Sequence, residues 1–378
     1  MNTTKWIFGV LIIVAIGTLV YTFRPAPQPT TPITIGFIGA LSGDAAAYGE
    51  SSRGGVMLAV EEINAEGGVN GRPLQVVYED GKCAGKDAAS AAQKLVAVDR
   101  VKMMVAGPCS GEVFGYAPIT NAAKVVTISP YASNPKISEL GDYVFRNTPS
   151  DSFIGAELAR LVARDHKAIA VVSENTEYSQ GIREAFAAAF QNQGGRVIGD
   201  EVVPPNTTDF RSALTKVLQN KPEALFLNTQ AGGGAARMAA QTRELGSNAQ
   251  FYVVYFTGDD YIASGAAVDG TLFVDTPIVA DSSRGATFLR KYTARFGKKP
   301  SYPYSAGASY DDVYILRDAL ILYGEDTEKI RDYLYTLKSY SGVIGTYGFD
   351  MNGDVTSLTA SFAHLKNGTL QKVLLNEN

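Results

Sequence analysis

Two hydrophobic rhythms take turns along this chain. Short β-rich apolar runs end at glycine or hydroxyl residues, and are followed by stretches whose apolar side chains return every three or four positions. The first run, 33–38, closes at Gly39. In the stretch after it Val56, Val60 and Ile63 share one helical face, and Gly67-Gly68 ends it. Strands are predicted at 74–78, 103–106 and 125–128, with helices at 86–98 and 112–123. The rhythm restarts after Pro149, with strands at 168–173, 197–203, 225–228, 251–254 and 272–274 and helices at 153–164, 180–192, 210–219 and 235–245. Helices then dominate, at 284–296, 306–323 and 327–337, before a tail of short strands and turns from Val343 to Leu375. Strands separated by single helices imply βαβ units, hence parallel sheets covered on both faces. The expected class is α/β, with two doubly wound units of comparable size.

Composition narrows the function. The chain has 378 residues, 46% hydrophobic and 19% charged, with a net charge of −4. That is too apolar for a disordered protein, and there is no excess of Lys and Arg to suggest a nucleic-acid partner. With two histidines, His166 and His364, and two cysteines, neither a histidine-based catalytic set nor a metal-ligand cluster can be assembled. Binding without chemistry, and no cofactor, is the expectation. Gly232-Gly-Gly234 lacks the Lys-Ser/Thr of a phosphate loop. Asp350-Met-Asn-Gly-Asp354 imitates a calcium loop but has Val355 and Ser361 where glycine and glutamate are needed, so it reads as a turn.

The N-terminus sets the compartment. Trp6 to Phe23 is uncharged, flanked by Lys5 and Arg24, and lacks a small-x-small cleavage site at its end. Residues 1–32 therefore read as an uncleaved membrane anchor, in preference to a cleaved signal, followed by a Pro-rich spacer. On either reading the remainder is exported. In an oxidising compartment Cys83 and Cys109 are expected to pair, closing a loop of about 26 residues worth about 3 kcal/mol; two free buried thiols are the alternative.

Ligands in open parallel sheets bind beyond the carboxyl ends of the strands. Five strand-to-helix turns carry small residues, hydroxyls or tyrosines: 42–48, 107–111, 129–133, 174–178 and 229–234. Free N–H groups at helix starts, with a serine hydroxyl beside them, suit an anion.

In these turns the chain resembles the branched-chain amino-acid type of extracellular solute-binding protein, the type I periplasmic binding proteins of ABC importers. The resemblance rests on Ile35-Gly-Phe-Ile-Gly-Ala-Leu-Ser-Gly43, Tyr48-Gly49, Asn64-Ala-Glu-Gly-Gly-Val-Asn-Gly71, Asp80 with Cys83, Gly107-Pro-Cys-Ser110, Ser129-Pro130 and Tyr178-Ser-Gln-Gly181. It covers the chain from Ile33 to about Asn367. It implies two lobes joined by three crossover strands near 148–151, 274–277 and 345–349. Lobe one would comprise 33–149 and 277–345, and lobe two 150–275 and 348–378. It also implies a small zwitterion, an amino acid, held in the interlobe cleft by hinge closure, and a membrane permease as partner.

Carried over by residue, the carboxylate site of the family falls on Ser110 and Ser133. The ammonium site falls on the Tyr131 carbonyl and the Ser133 hydroxyl, with Ala132 between them. Tyr48, Tyr178, Tyr310 and Gln230 take the remaining contact positions, and Asp259 the acidic one. Two features depart from the family: the stretch 255–260 that carries Asp259 is shifted by several residues from the family's register, and Tyr131 replaces a small residue, which shrinks or reshapes the pocket; Gln230 stands at a position often aromatic in the family. A ligand-sensing ectodomain working through a membrane partner is the alternative function.

Overall fold

The computed structural model describes residues 31–255 and 265–373. The proposed anchor at 6–23 and Asp259 lie outside the described residues.

Five strands form the first sheet: β1 (Ile33–Gly39), β2 (Leu74–Asp80), β3 (Met103–Ala106), β4 (Val126–Ser129) and β5 (Val144–Arg146). They run parallel in the order β2-β1-β3-β4-β5. Helices α1 (Ala46–Ala65), α2 (Gly85–Ala97) and α3 (Ser110–Ala122) make the first crossovers. The short β5, with only three residues, carries too little pattern to stand out in the sequence.

A second doubly wound unit follows: α4 (Asp151–Ala163), β6 (Ala168–Glu174), α5 (Glu177–Asn192), β7 (Arg196–Val203), α6 (Arg211–Leu218), β8 (Ala224–Asn228), α7 (Gly232–Glu244), β9 (Gln250–Val254) and β10 (Leu272–Asp275). Helices α8 (Ser283–Phe296), α9 (Pro303–Tyr323) and α10 (Thr327–Thr336) then return to the first lobe. The tail holds a small antiparallel sheet of β11 (Tyr340–Ser341), β12 (Thr346–Phe349) and β13 (Val355–Thr356). It ends in a hairpin of β14 (Ser361–Lys366) and β15 (Thr369–Lys372), which pairs antiparallel with β10. The second sheet thus has seven strands in the order β15-β14-β10-β9-β8-β6-β7.

Each sheet is covered on both faces, which is why its strands read as unbroken apolar runs. On the first sheet, Val56, Ile63, Phe288 and Leu316 pack one face, and Ala88, Leu95, Val113 and Tyr116 the other. On the second, Phe210, Leu214 and Met238 oppose Ile154, Leu158 and Phe186 across the strands. Among the described residues no helix is long and apolar enough to cross a membrane.

The chain passes between lobes at 147–150, 276–278 and 357–360. The third passage corrects the expected one at 345–349. There, β12 puts Tyr347 and Phe349, both fully buried, into the first core, with Phe349 5.4 Å from the Phe145 ring. The following turn is held to the same lobe by Arg146, which has no exposed surface. Its guanidinium donates to Asp354 at 2.7 and 2.9 Å, to the Asn134 carbonyl at 2.7 Å and to Ser138 Oγ at 2.9 Å. Asp350 Oδ1 caps the turn by accepting from the N–H groups of Asn352 and Asp354. The carboxylates of the calcium-like stretch are therefore spent inside the protein.

Candidate functional site

The carboxyl ends of β3 and β4 face those of β6, β8 and β9 across the gap between the lobes. Ser110, Tyr131, Ser133, Tyr178, Gln230 and Tyr255 line one small cavity there, together with Tyr48 from the start of α1. Sequence reasoning named six of these seven.

Ser110 reaches the cavity because the chain turns sharply after β3. Gly107, at φ +74, occupies the left-handed region that glycine tolerates best. Cys109, not Ser110, is the N-cap of α3, so the Ser110 hydroxyl is not consumed in capping. It accepts from the Asn134 N–H at 3.2 Å and keeps its own proton to donate. The disulfide between Cys83 and Cys109, with Cα atoms 5.2 Å apart, ties this turn to the segment after β2. Behind it, buried Glu112 accepts from the N–H groups of both cysteines.

Ser133 donates to Asp151 Oδ2 at 3.0 Å, while its carbonyl accepts the Asp151 N–H at 2.8 Å. Asp151 is the first residue of α4, after the N-cap Ser150, and has no exposed surface. Its other oxygen accepts from the Tyr255 hydroxyl at 3.2 Å. Burial pushes its carboxyl up to about 7, partly offset by the Ser133 hydroxyl, Arg146 and Tyr255. Asp151 itself does not line the cavity; it stands behind Ser133 and Tyr255, which do.

Tyr255 follows β9 with φ +56, a conformation a bulky residue adopts only when its surroundings impose it. Six tyrosines surround the site. Tyr131 lies at the centre, its ring centroid 5.6 Å from that of Tyr48, 5.5 Å from Tyr255, 6.2 Å from Tyr302 and 6.0 Å from Tyr304. Tyr178 stands 5.8 Å from Tyr255.

Two contacts tie the lobes together at the rim. The Tyr48 hydroxyl donates to the Gln230 carbonyl at 2.9 Å, and Asn134 Nδ2 donates to the Glu177 carbonyl at 2.6 Å. Gly181 permits the second, since a Cβ there would lie 2.6 Å from Asn134 Nδ2. The Gln230 N–H donates to buried Glu174 at 2.7 Å, and burial raises the Glu174 carboxyl above its ordinary value.

Two nominated residues fall elsewhere. Tyr310 sits on the outer side of lobe one, where its hydroxyl donates to Glu62 at 2.6 Å. The start of the same helix, α9, brings Tyr304 close to the site, with Tyr302 just before it. One helix turn follows another with a tyrosine, and spacing alone does not tell them apart. Ala132 points into the first core, its N–H donating to Ser129 Oγ at 3.3 Å, and it does not line the cavity. Asp151 and Tyr255 were missed. The clue to Asp151 was its place as the first acid after a serine N-cap at a crossover; Tyr255 carried none. Among the described residues no group of His, Cys, Asp and Glu is arranged to hold a metal ion.

Two doubly wound lobes, three passages between them and a polar cavity at their facing strand ends define a bilobal ligand-binding protein of the type I class. The chain matches the family model described as periplasmic binding protein over residues 32–369. It belongs to that family. It is 27% identical to the Leu/Ile/Val-binding protein BraC3 of Rhizobium johnstonii, over 91% of this chain and 95% of that protein. It is also 27% identical to the leucine-, isoleucine-, valine-, threonine-, and alanine-binding protein of Pseudomonas aeruginosa, over 85% and 87% of the two chains. The substrate-binding protein LivJ of Streptococcus pneumoniae, solved with isoleucine, superposes with a TM-score of 0.81 at 28% identity, covering 91% of this chain and 99% of that one.

Proposed function

We propose that this protein is the extracytoplasmic receptor of an ABC importer and captures an α-amino acid between its lobes. The observation that carries this reading is the pairing of Ser110 with Ser133 on one cavity, with Asp151 bonded directly behind the Ser133 hydroxyl. A carboxylate fits at the start of α3, where the Ser110 hydroxyl and the Ser110 and Gly111 N–H groups, which precede the helix's own hydrogen bonds, are donors. An ammonium fits against the Ser133 hydroxyl and the Tyr131 carbonyl, with the Asp151 carboxyl directly behind Ser133. The ammonium charge would draw the Asp151 proton off, converting a neutral acid into a paired carboxylate.

Closure follows from the division of these groups. Ser110 and Ser133 belong to lobe one, while Tyr178, Gln230 and Tyr255 belong to lobe two. A ligand touching both is bound tightest when the lobes meet, so it shifts the hinge toward the closed form. The relatives named for leucine, isoleucine and valine support an amino-acid ligand. The uncharged stretch at 6–23 and the disulfide support export with a membrane tether. In this role the permease receives the closed receptor, and the ligand leaves unaltered.

The full-length chain, solubilised in mild detergent, should gain thermal stability with at least one member of a panel of the common L-amino acids. A bound ligand raises the melting temperature by mass action. No shift with any member at millimolar concentration sinks the reading.

A further inference from the structure

The groups that fit an amino acid's charged ends leave almost no room for the rest of it. The cavity they line measures about 20 Å³, which is space for about one water. On its hinge side lies a second cavity of about 590 Å³, lined by Phe273, Pro277, Ile278, Leu289 and Leu370 and also by Asp275, Asp281, Lys299 and Lys372. The two share one wall, the Tyr131 side chain.

That wall is held differently from its neighbours. Tyr48, Tyr255 and Tyr304 are buried, and each donates its hydroxyl to a partner: the Gln230 carbonyl, Asp151 and the Asn147 carbonyl. Tyr131 is half-buried, and among the described residues its hydroxyl has no hydrogen bond. Its ring rests against parts of both lobes' cores.

We propose that Tyr131 is a movable partition, and that the hinge-side cavity receives the side chain of the bound amino acid. With the charged ends fixed at Ser110, Ser133 and Asp151, a substituent of any length needs space, and rotation of the Tyr131 ring opens it into a mostly apolar chamber. The chamber selects for a long or aromatic apolar substituent, and Tyr131 is the residue that sets this specificity. The inference rests on the amino-acid reading of the cleft.

The test compares L-alanine with L-phenylalanine by calorimetric titration of the full-length chain and two variants. The wild type is expected to bind phenylalanine at least tenfold more tightly than alanine. Ile278→Trp, at an exposed position on the chamber wall, should lower that affinity ratio at least tenfold by filling the chamber. Tyr131→Ala should raise the ratio by removing the partition. Should Ile278→Trp leave the ratio unchanged, or the wild type prefer alanine, the partition is wrong while the amino-acid reading stands. If neither probe binds but another amino acid does, the chamber assignment alone falls; if no amino acid binds, both fall together. A thermal melt of each variant separates a lost fold from a lost preference.

Discussion

The Tyr48 hydroxyl donates to the Gln230 carbonyl at 2.9 Å, joining residues 182 positions apart and on opposite lobes. It closes one rim of the cleft, as Asn134 and Glu177 close another. Both contacts join opposite lobes, so both belong to the closed arrangement and contribute little to the stability of either lobe.

Tyr48→Phe removes the hydroxyl and keeps the ring. A neutral hydrogen bond contributes about 1 kcal/mol net, so amino-acid affinity should fall about fivefold. Stopped-flow measurement should place most of that loss in faster dissociation. An unchanged dissociation rate would show that the bond is not part of the closed state.

Ser110→Ala separates binding from folding. The hydroxyl is not the cap of α3, so the melting temperature without added amino acid should change little. A donor to a charged group is worth about 1.5–3 kcal/mol, so binding should weaken roughly ten- to a hundredfold. Titration calorimetry and a thermal melt on the same preparation would read both quantities.

Asp151 gives ligand binding a pH dependence. With its carboxyl at about 7 in the free protein, it must be ionised to pair with an ammonium. Affinity should therefore decline as pH falls below about 7, and binding near pH 6.5 should release protons to the buffer. Asp151→Asn should bind more weakly and abolish both effects. Calorimetry in buffers of different ionisation enthalpy measures the proton count.

Three buried carboxyls, Glu112, Asp151 and Asp311, are each pushed up to about 7, chiefly by burial. Their ordinary values lie near 4, so between about pH 4 and 7 the folded chain holds more protons than the unfolded one. Stability gained by keeping these groups neutral is fully present below their unfolded values and is lost as pH rises through about 7. The melting temperature without added amino acid should drop by several degrees between pH 5 and 8. A rising or flat profile would contradict the burial of these acids.

The Arg146–Asp354 pair fastens the tail to lobe one. Asp354→Ala leaves a fully buried guanidinium with only neutral partners, a change that typically costs about 3–5 kcal/mol. Asp354 is partly exposed, so the lower end of that range is expected. Urea unfolding should show a lower midpoint, and proteolysis should become faster in the stretch 350–360.

Much of this protein could be read in the order of its residues. The period of the apolar positions dictated strands and helices because each buries one face or both against a partner, and βαβ alternation leaves few alternatives to doubly wound units. Gly107, Cys109 and Ser110 marked a turn feeding a helix start, and local geometry alone places a donor group there. Tertiary structure decided the rest. Tyr310 and Tyr304 look alike along α9, and only the crossing of that helix over lobe one points one toward Glu62 and the other toward the cleft. Asp151 acquires its character from burial by segments distant in the chain, Ser133 and Tyr255 among them. The third passage between lobes lies beyond β13 because Tyr347, Phe349 and Asp354 find partners in lobe one. Local spacing can fix a period, but partnership across more than a hundred residues is settled only when the chain has folded.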